Sequence, residues 1–140
     1  MWIIVNKYIP LPRWSVIMIC GILFTRDRGE ITPRRMRHEK IHIRQWVEIT
    51  IVWIGVLMAL HFTAGLSLWW LLTAIVAYYA VYGLCWLIEL CLPPYNRAYG
   101  NICLEAEAYY NAGDETYLSR RKPFSFFKYI SNKRYPYESN

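Results

Sequence analysis

No lysine or arginine occurs between Gln45 and Asn96, a run of 52 residues in which Glu48 and Glu89 are the sole formal charges. Charge is scarce throughout: Asp, Glu, Lys and Arg make up 19% of the 140 residues, against about 25% in an ordinary soluble domain. The 16 Lys and Arg outnumber the 10 Asp and Glu, so a net charge of +6 sits in two basic ends around a nearly uncharged middle. A hydrophobic fraction of 56%, with 17% aromatics, excludes a disordered chain, which lacks the apolar surface to fold. The length is that of one domain, so no multidomain machine is expected. The cysteines, Cys20, Cys85, Cys91 and Cys103, form no CxxC pair, which removes zinc-ribbon and thioredoxin-like readings. Cys85 and Cys91 fall in an apolar run, and free thiols are expected. No signal peptide is expected: Trp2–Val5 is too short, and Asn6, Lys7 and Pro10 interrupt it. Internal repeats and low-complexity tracts are absent from the sequence.

What fills the gap is apolar. Trp46–Phe62 and Leu66–Leu92 are two long hydrophobic runs, and a helix crossing the hydrocarbon core needs about 20 such residues. Thr63-Ala64-Gly65 is a turn signal between them, and Pro93-Pro94 stops the second run. Trp69, Trp70 and Trp86 fall near the expected ends of the second helix, where indole rings favour the interface. Arg34, Arg35, Arg37, Lys40 and Arg44 precede the first run; Arg97, Arg120, Arg121 and Lys122 follow the second; the turn has neither Lys nor Arg. By the positive-inside rule both termini are cytoplasmic and the turn near His61–Ser67 is outside. The competing reading is a soluble protein with two very hydrophobic core helices, although runs this long and uncharged are rare outside membranes.

The flanks carry weaker signals. In residues 13–30, Val16–Phe24 reads as one buried or interfacial strand, followed by a turn at Asp27-Arg28-Gly29. Thr32-Pro33 reads as a helix start, with Thr as the cap and Pro at the first position. The next breaker is Gly55, so this helix runs straight into the first span. A third helix is expected from Asn101. Arg120–Tyr129 mixes basic residues with Phe124, Phe126 and Phe127. It reads either as a segment lying on anionic lipid or as a solvated tail with a few buried aromatics. The expected fold is a mainly α membrane protein: a two-transmembrane-helix hairpin with a short N-terminal β element and a C-terminal cytoplasmic helix. It forms one integral-membrane domain over 1–140, with a strand region (1–33), the first helix and span (34–62), the second span (66–92), and a glutamate-bearing helix with a basic aromatic tail (96–140).

Residues 38–42 read His38-Glu39-Lys40-Ile41-His42. A spacing of four on a helix puts both histidines on one face, where they can ligate one zinc ion. Glu39 stands about 100° round the helix, placed to accept a proton from water at the metal. A hydrolytic zinc site needs a third protein ligand, and Glu105 and Glu107 are the candidates. The hairpin climbs about 20 residues from His42 and returns about 26, nearly equal lengths at about 1.5 Å per residue. A glutamate after Pro94 can therefore reach the depth of His42. Gln45 lies on the histidine face and could orient a ligand, close the pocket or be an ordinary helix-surface glutamine. Glu48 and Glu89 are expected to pair with Arg44 or Arg97. A sharper alternative is that one of them accepts a hydrogen bond from a ligand histidine.

HExxH on one helix with a glutamate from a later helix resembles the gluzincin pattern of thermolysin-like metallopeptidases. Membrane-embedded versions carry HExxH at the cytoplasmic end of a transmembrane helix, among them heat-shock and prenyl-protein-processing proteases and antibiotic-sensing peptidases. Glu105-Ala106-Glu107-Ala108-Tyr109 matches their E-x-x-A-D apart from Tyr109 in the place of Asp. This resemblance covers two short motifs. HEKIHIRQ, WLIEL and NICLEAEAYYN together are similar to a set of small uncharacterised bacterial membrane proteins, over most of the chain.

The resemblance implies Zn²⁺ held by His38, His42 and Glu105, with Glu107 behind them and Glu39 as the catalytic base. Another residue must then do what the missing Asp does in holding the histidines. Tyr109 or Tyr110 would donate to the oxyanion, and the Val16–Phe24 strand would offer its edge to an extended peptide. The function implied is a zinc-dependent membrane metallopeptidase cleaving a peptide bond at the cytoplasmic face, multi-pass in a bacterial inner membrane. Its partners would be the lipid bilayer and a peptide or protein substrate, with a membrane-protein partner or a second copy left open. The alternative is a catalytically silent metal-binding accessory or regulatory subunit, which small size favours and an intact Glu39 disfavours. Nucleic acid is not expected as a partner, because the positive-inside rule already accounts for the basic ends.

Overall fold

The computed structural model describes residues 2–6, 16–92 and 98–130. Its longest element, α1, runs Pro33–Ala64. The start follows from Thr32, whose hydroxyl accepts the Arg35 N–H at 3.1 Å, with Pro33 in the first turn. The helix passes Gly55 without a break and ends at Gly65, in the left-handed region at φ 67°. There the Gly65 N–H donates to His61 O at 3.1 Å, a glycine C-cap. Thr63 and Ala64 are helical rather than part of the turn, and Thr63 donates back to Ala59 O at 2.8 Å.

The second apolar run is not one α-helix from Leu66. Leu68–Thr73 is a 3-10 helix capped by Ser67, and α2 follows over Ala74–Leu90. The 3-10 stretch sits where the chain has just reversed, and cross-hairpin bonds hold it: Trp53 Nε1–H donates to Thr73 Oγ1 at 2.8 Å. α1 and the helical stretch Leu68–Leu90, the 3-10 segment together with α2, are each long and apolar enough to cross a membrane. The expected Pro93-Pro94 stop, Arg97 and the chain beyond Ile130 lie outside the described residues, as do residues 13–15.

At the N-terminal side, β1 (Trp2–Val5), β2 (Val16–Ile19) and β3 (Ile22–Thr25) form a sheet in the order β1-β3-β2. β3 runs parallel to β1, with Trp2 opposite Ile22, and antiparallel to β2, with Ile19 opposite Ile22. The single strand expected over Val16–Phe24 is therefore a hairpin. Its two-residue turn is Cys20-Gly21, both at positive φ (49° and 78°), as tight hairpins require. The Cys20 N–H donates to Tyr79 OH at 2.7 Å, which ties the turn to α2. The turn expected at Asp27 is present, with its carboxylate accepting the Gly29 N–H at 3.0 Å.

The third helix comes in two pieces, α3 (Ala98–Asn101) and α4 (Cys103–Asn111), separated at Ile102, whose backbone leaves the helical region. A short α5 (Tyr117–Arg120) and a 3-10 turn (Ser125–Tyr129) follow. Met18, Leu23, Tyr78, Ile102, Leu104 and Phe126 make one buried cluster. Sheet, α2, α4 and the C-terminal segment thus share a core. Arg120–Tyr129 folds back onto the helices: Phe126 is buried while Phe127 is exposed. Between α1, α2 and this segment lies an apolar cavity of about 720 Å³, lined by residues including Ile49, Trp53, Val76, Ile88 and Phe127.

Candidate metal centre

His38 and His42 project from the same side of α1, with their Nε2 atoms 3.0 Å apart. Glu105, in the first turn of α4, meets both. Its Oε1 is 3.4 Å from His42 Nε2 and its Oε2 is 3.5 Å from His38 Nε2. One ligand atom from each residue lies within 4.8 Å of the others, so the three could hold a metal ion. Tyr82 and Tyr99 donate their hydroxyls to Glu105 Oε1 at 2.8 and 3.1 Å. Among the described residues, Oε2 has no hydrogen-bond partner although it is buried. A cation is one group that can satisfy a buried acceptor left over beside two imidazole nitrogens, and two nitrogens with one carboxylate are a donor set that suits zinc.

The charges are strongly coupled. Burial alone would lift the Glu105 carboxyl, but the charges of His42 and His38 beside it hold it well below the usual carboxylate range. His42 is opposed by burial and still pushed up to about 9 by Glu105, with smaller help from Glu39 and Gln45. Glu39 is buried next to the histidines, and that burial raises its carboxyl above the ordinary value against the pull of His42 and His38.

Gln45 is fully buried, not a surface residue. Its Nε2 donates to Leu104 O at 2.9 Å and to Glu107 Oε2 at 3.0 Å. A carbonyl and a carboxylate oxygen accept here, so the amide nitrogen must face them and Oε1 must face His42 Nδ1, 2.8 Å away. Tyr78 OH adds a bond to the same Oε1 at 3.4 Å. His42 Nδ1 therefore donates to Gln45, which turns Nε2 of the neutral ring, lone pair outward, to the cluster. The E-x-x-A-D pattern has an Asp to hold the histidines; here the residue that bonds His42 Nδ1 is Gln45.

Tyr109 stands where that Asp would be and packs its ring on His38, with centroids 4.4 Å apart. Tyr110 is exposed and packs towards Tyr129, 5.9 Å between centroids. Glu107 stands behind the cluster: it accepts from Arg121 Nε at 2.6 Å, Tyr117 OH at 2.7 Å and Gln45. The Glu48 expectation is corrected. Its partner is Arg121, through Nη1 and through Nη2 at 3.1 Å, and not Arg44, which points to solvent. At His42 Nδ1 the partners are Gln45 and the Tyr78 hydroxyl. Arg97, the other expected partner, lies outside the described residues.

Tyr78, Tyr82, Tyr99 and Arg121 were not singled out by sequence reasoning. A signal existed for the first two: hydroxyls four residues apart in an apolar run mark a polar face on an otherwise lipophilic helix. No protein-family model, curated protein or solved structure matches this chain.

Proposed function

We propose that the protein is an integral-membrane zinc hydrolase of gluzincin type, a metallopeptidase acting at the cytoplasmic face. The observation that carries this reading is the convergence of His38, His42 and Glu105 from two separate helices, with a buried Glu39 beside them. His38, His42 and Glu105 would hold the zinc. When bound, zinc supplies a Lewis acid that polarises a substrate carbonyl and activates water. Glu39, made more basic by burial, accepts the proton of the attacking water and returns it to the leaving amine. Gln45 keeps His42 in its ligating orientation, and Tyr109, packed on His38, is the donor assigned to the oxyanion. The outer strands β1 and β2 offer edges to an extended peptide.

The membrane assignment rests on exposure. Only 11% and 17% of the most apolar windows of the two helices are buried, where core helices of a soluble protein would be mostly covered. Ile51, Phe62, Trp69, Leu72, Ile75 and Leu84 all face outward. An apolar surface of this extent stays dry in lipid. With spans at Trp46–Phe62 and Leu68–Leu90, His38–Gln45 lies just before the first span. The positive-inside rule then sets both termini on the cytoplasmic side, in a bacterial inner membrane by the resemblance above, while the metal centre is level with Tyr78 and Tyr82 on the second span.

Deep burial of His42 and Glu105 favours one alternative, a metal-binding accessory subunit without turnover. Purified protein in detergent should contain about one zinc per chain. Glu39→Gln should keep that zinc and lose peptide hydrolysis by about 10²–10⁴-fold. Zinc without hydrolysis in the unaltered protein would select the accessory reading, and no bound metal would remove the site.

A further inference from the structure

Four buried polar side chains run in series from the metal centre to the C-terminal segment. His42 Nδ1 meets Gln45 Oε1 at 2.8 Å, and Gln45 Nε2 donates to Glu107 Oε2 at 3.0 Å. Arg121 donates to both oxygens of Glu107, from Nε at 2.6 Å and from Nη2 at 3.2 Å. The same guanidinium grips Glu48 on α1, whose Oε2 also accepts the Phe124 N–H at 3.0 Å. Gln45 and Glu107 are 0% exposed and the Arg121 side chain 3%, so water does not compete for these bonds.

We propose that Arg121 is a positioning residue for the metal centre: by fixing the Glu107 carboxylate it fixes the Gln45 amide, and so makes zinc affinity depend on the docking of the C-terminal segment. This rests on the metal-binding reading given above. The orientation of Gln45 is set by what faces its nitrogen. Leu104 O supplies one acceptor from backbone. The other, Glu107 Oε2, stays aimed at Gln45 because a planar guanidinium fork and Tyr117 OH hold the carboxylate from behind. Without the fork the carboxylate can rotate and Gln45 loses that contact. Gln45 Oε1 is then no longer held against His42 Nδ1, and the ring is free to turn its Nε2 from the cluster. Arg120, the preceding residue, is a natural control. It pairs with Asp114 at the surface and touches none of these groups.

The test compares zinc dissociation constants, by chelator competition, for the unaltered protein, Arg121→Met, Arg121→Lys and Arg120→Met, together with ¹⁵N-histidine spectra of the zinc-loaded proteins. The chain has 3 histidines, so the His42 Nδ1–H signal can be assigned. Arg121→Met should weaken zinc binding about 10–100-fold, the range for residues that orient a ligand, and should shift that signal. Arg121→Lys, with charge but no fork, should fall between, and Arg120→Met should match the unaltered protein. Equal affinity and an unmoved His42 signal in Arg121→Met would overturn the inference, as would an equal loss in Arg120→Met. If Arg121→Met does not fold, unchanged affinity and spectrum in Arg121→Lys overturn it. Absence of zinc from the unaltered protein is a different result, which fails the metal reading itself.

Discussion

Gln45 and His42 show how much one amide can decide. With Leu104 O and Glu107 on its nitrogen side, Gln45 has a single way to face His42. His42 must then lose the proton on Nε2 before that atom can bind a metal. Glu105 and Glu39 hold this proton until about pH 9 in the metal-free protein. Zinc held as proposed would therefore displace a proton from His42 at neutral pH. Because the ring pKa is raised, competition grows as pH falls: apparent zinc affinity should drop about tenfold per pH unit below about 9 from this proton alone. Chelator competition between pH 6 and 9 checks this, and a flat profile would contradict it. At this scale His38, Glu39 and His42 were legible, because helical spacing brings them together. Glu105 joins them, but not through arms of matched length: His42 meets Tyr78 and Glu105 meets Tyr82, well before the end of α2. Glu105 over Glu107 came from the resemblance to E-x-x-A-D. The tyrosines on Glu105 and the Arg121 bridge were not legible, since pairings such as Arg121 with Glu48, 73 residues apart, leave no local pattern.

Elements were legible where a cap or breaker carries its own chemistry. Thr32-Pro33 opens α1 and Gly65 closes it. The hairpin at Cys20-Gly21 was missed because Cys20 is a non-glycine residue at φ 49°, a conformation that its neighbours impose. The piece Trp2–Val5, weighed in the sequence only against a signal peptide, is a strand because β3 offers it an edge. The 3-10 start of the second arm was hidden for a similar reason: composition is the same for 3-10 and α. Two glycines of α1 and its cap give a test of opposite signs. Gly65→Ala places a Cβ at φ 67° and should destabilise the fold by about 1–2 kcal/mol. Gly55→Ala sits in a helix interior with nothing within 4 Å of the new Cβ and should stabilise it by about 0.5–1 kcal/mol. Denaturation in detergent micelles reads both; changes of the same sign would contradict the assigned roles.

Across the whole molecule, the long gap in basic residues became a helical hairpin whose two arms return α4 to the start of α1. Sequence reading found that outline from hydropathy and charge. It did not find that the sheet, α4 and the C-terminal segment share one core around Tyr78, Leu104 and Phe126, because that core joins residues far apart in the chain. The consequence is that the C-terminal segment belongs to the site and is not an appendage: Arg121 links it to Glu48 on α1 and to Glu107 on α4. The central claim is that His38, His42 and Glu105 hold zinc. Anomalous diffraction across the zinc edge, on crystals of the purified protein, tests it most directly. The account predicts one peak about 2.0–2.2 Å from His38 Nε2, His42 Nε2 and a carboxylate oxygen of Glu105; no peak there, or zinc bound by other residues, would contradict it.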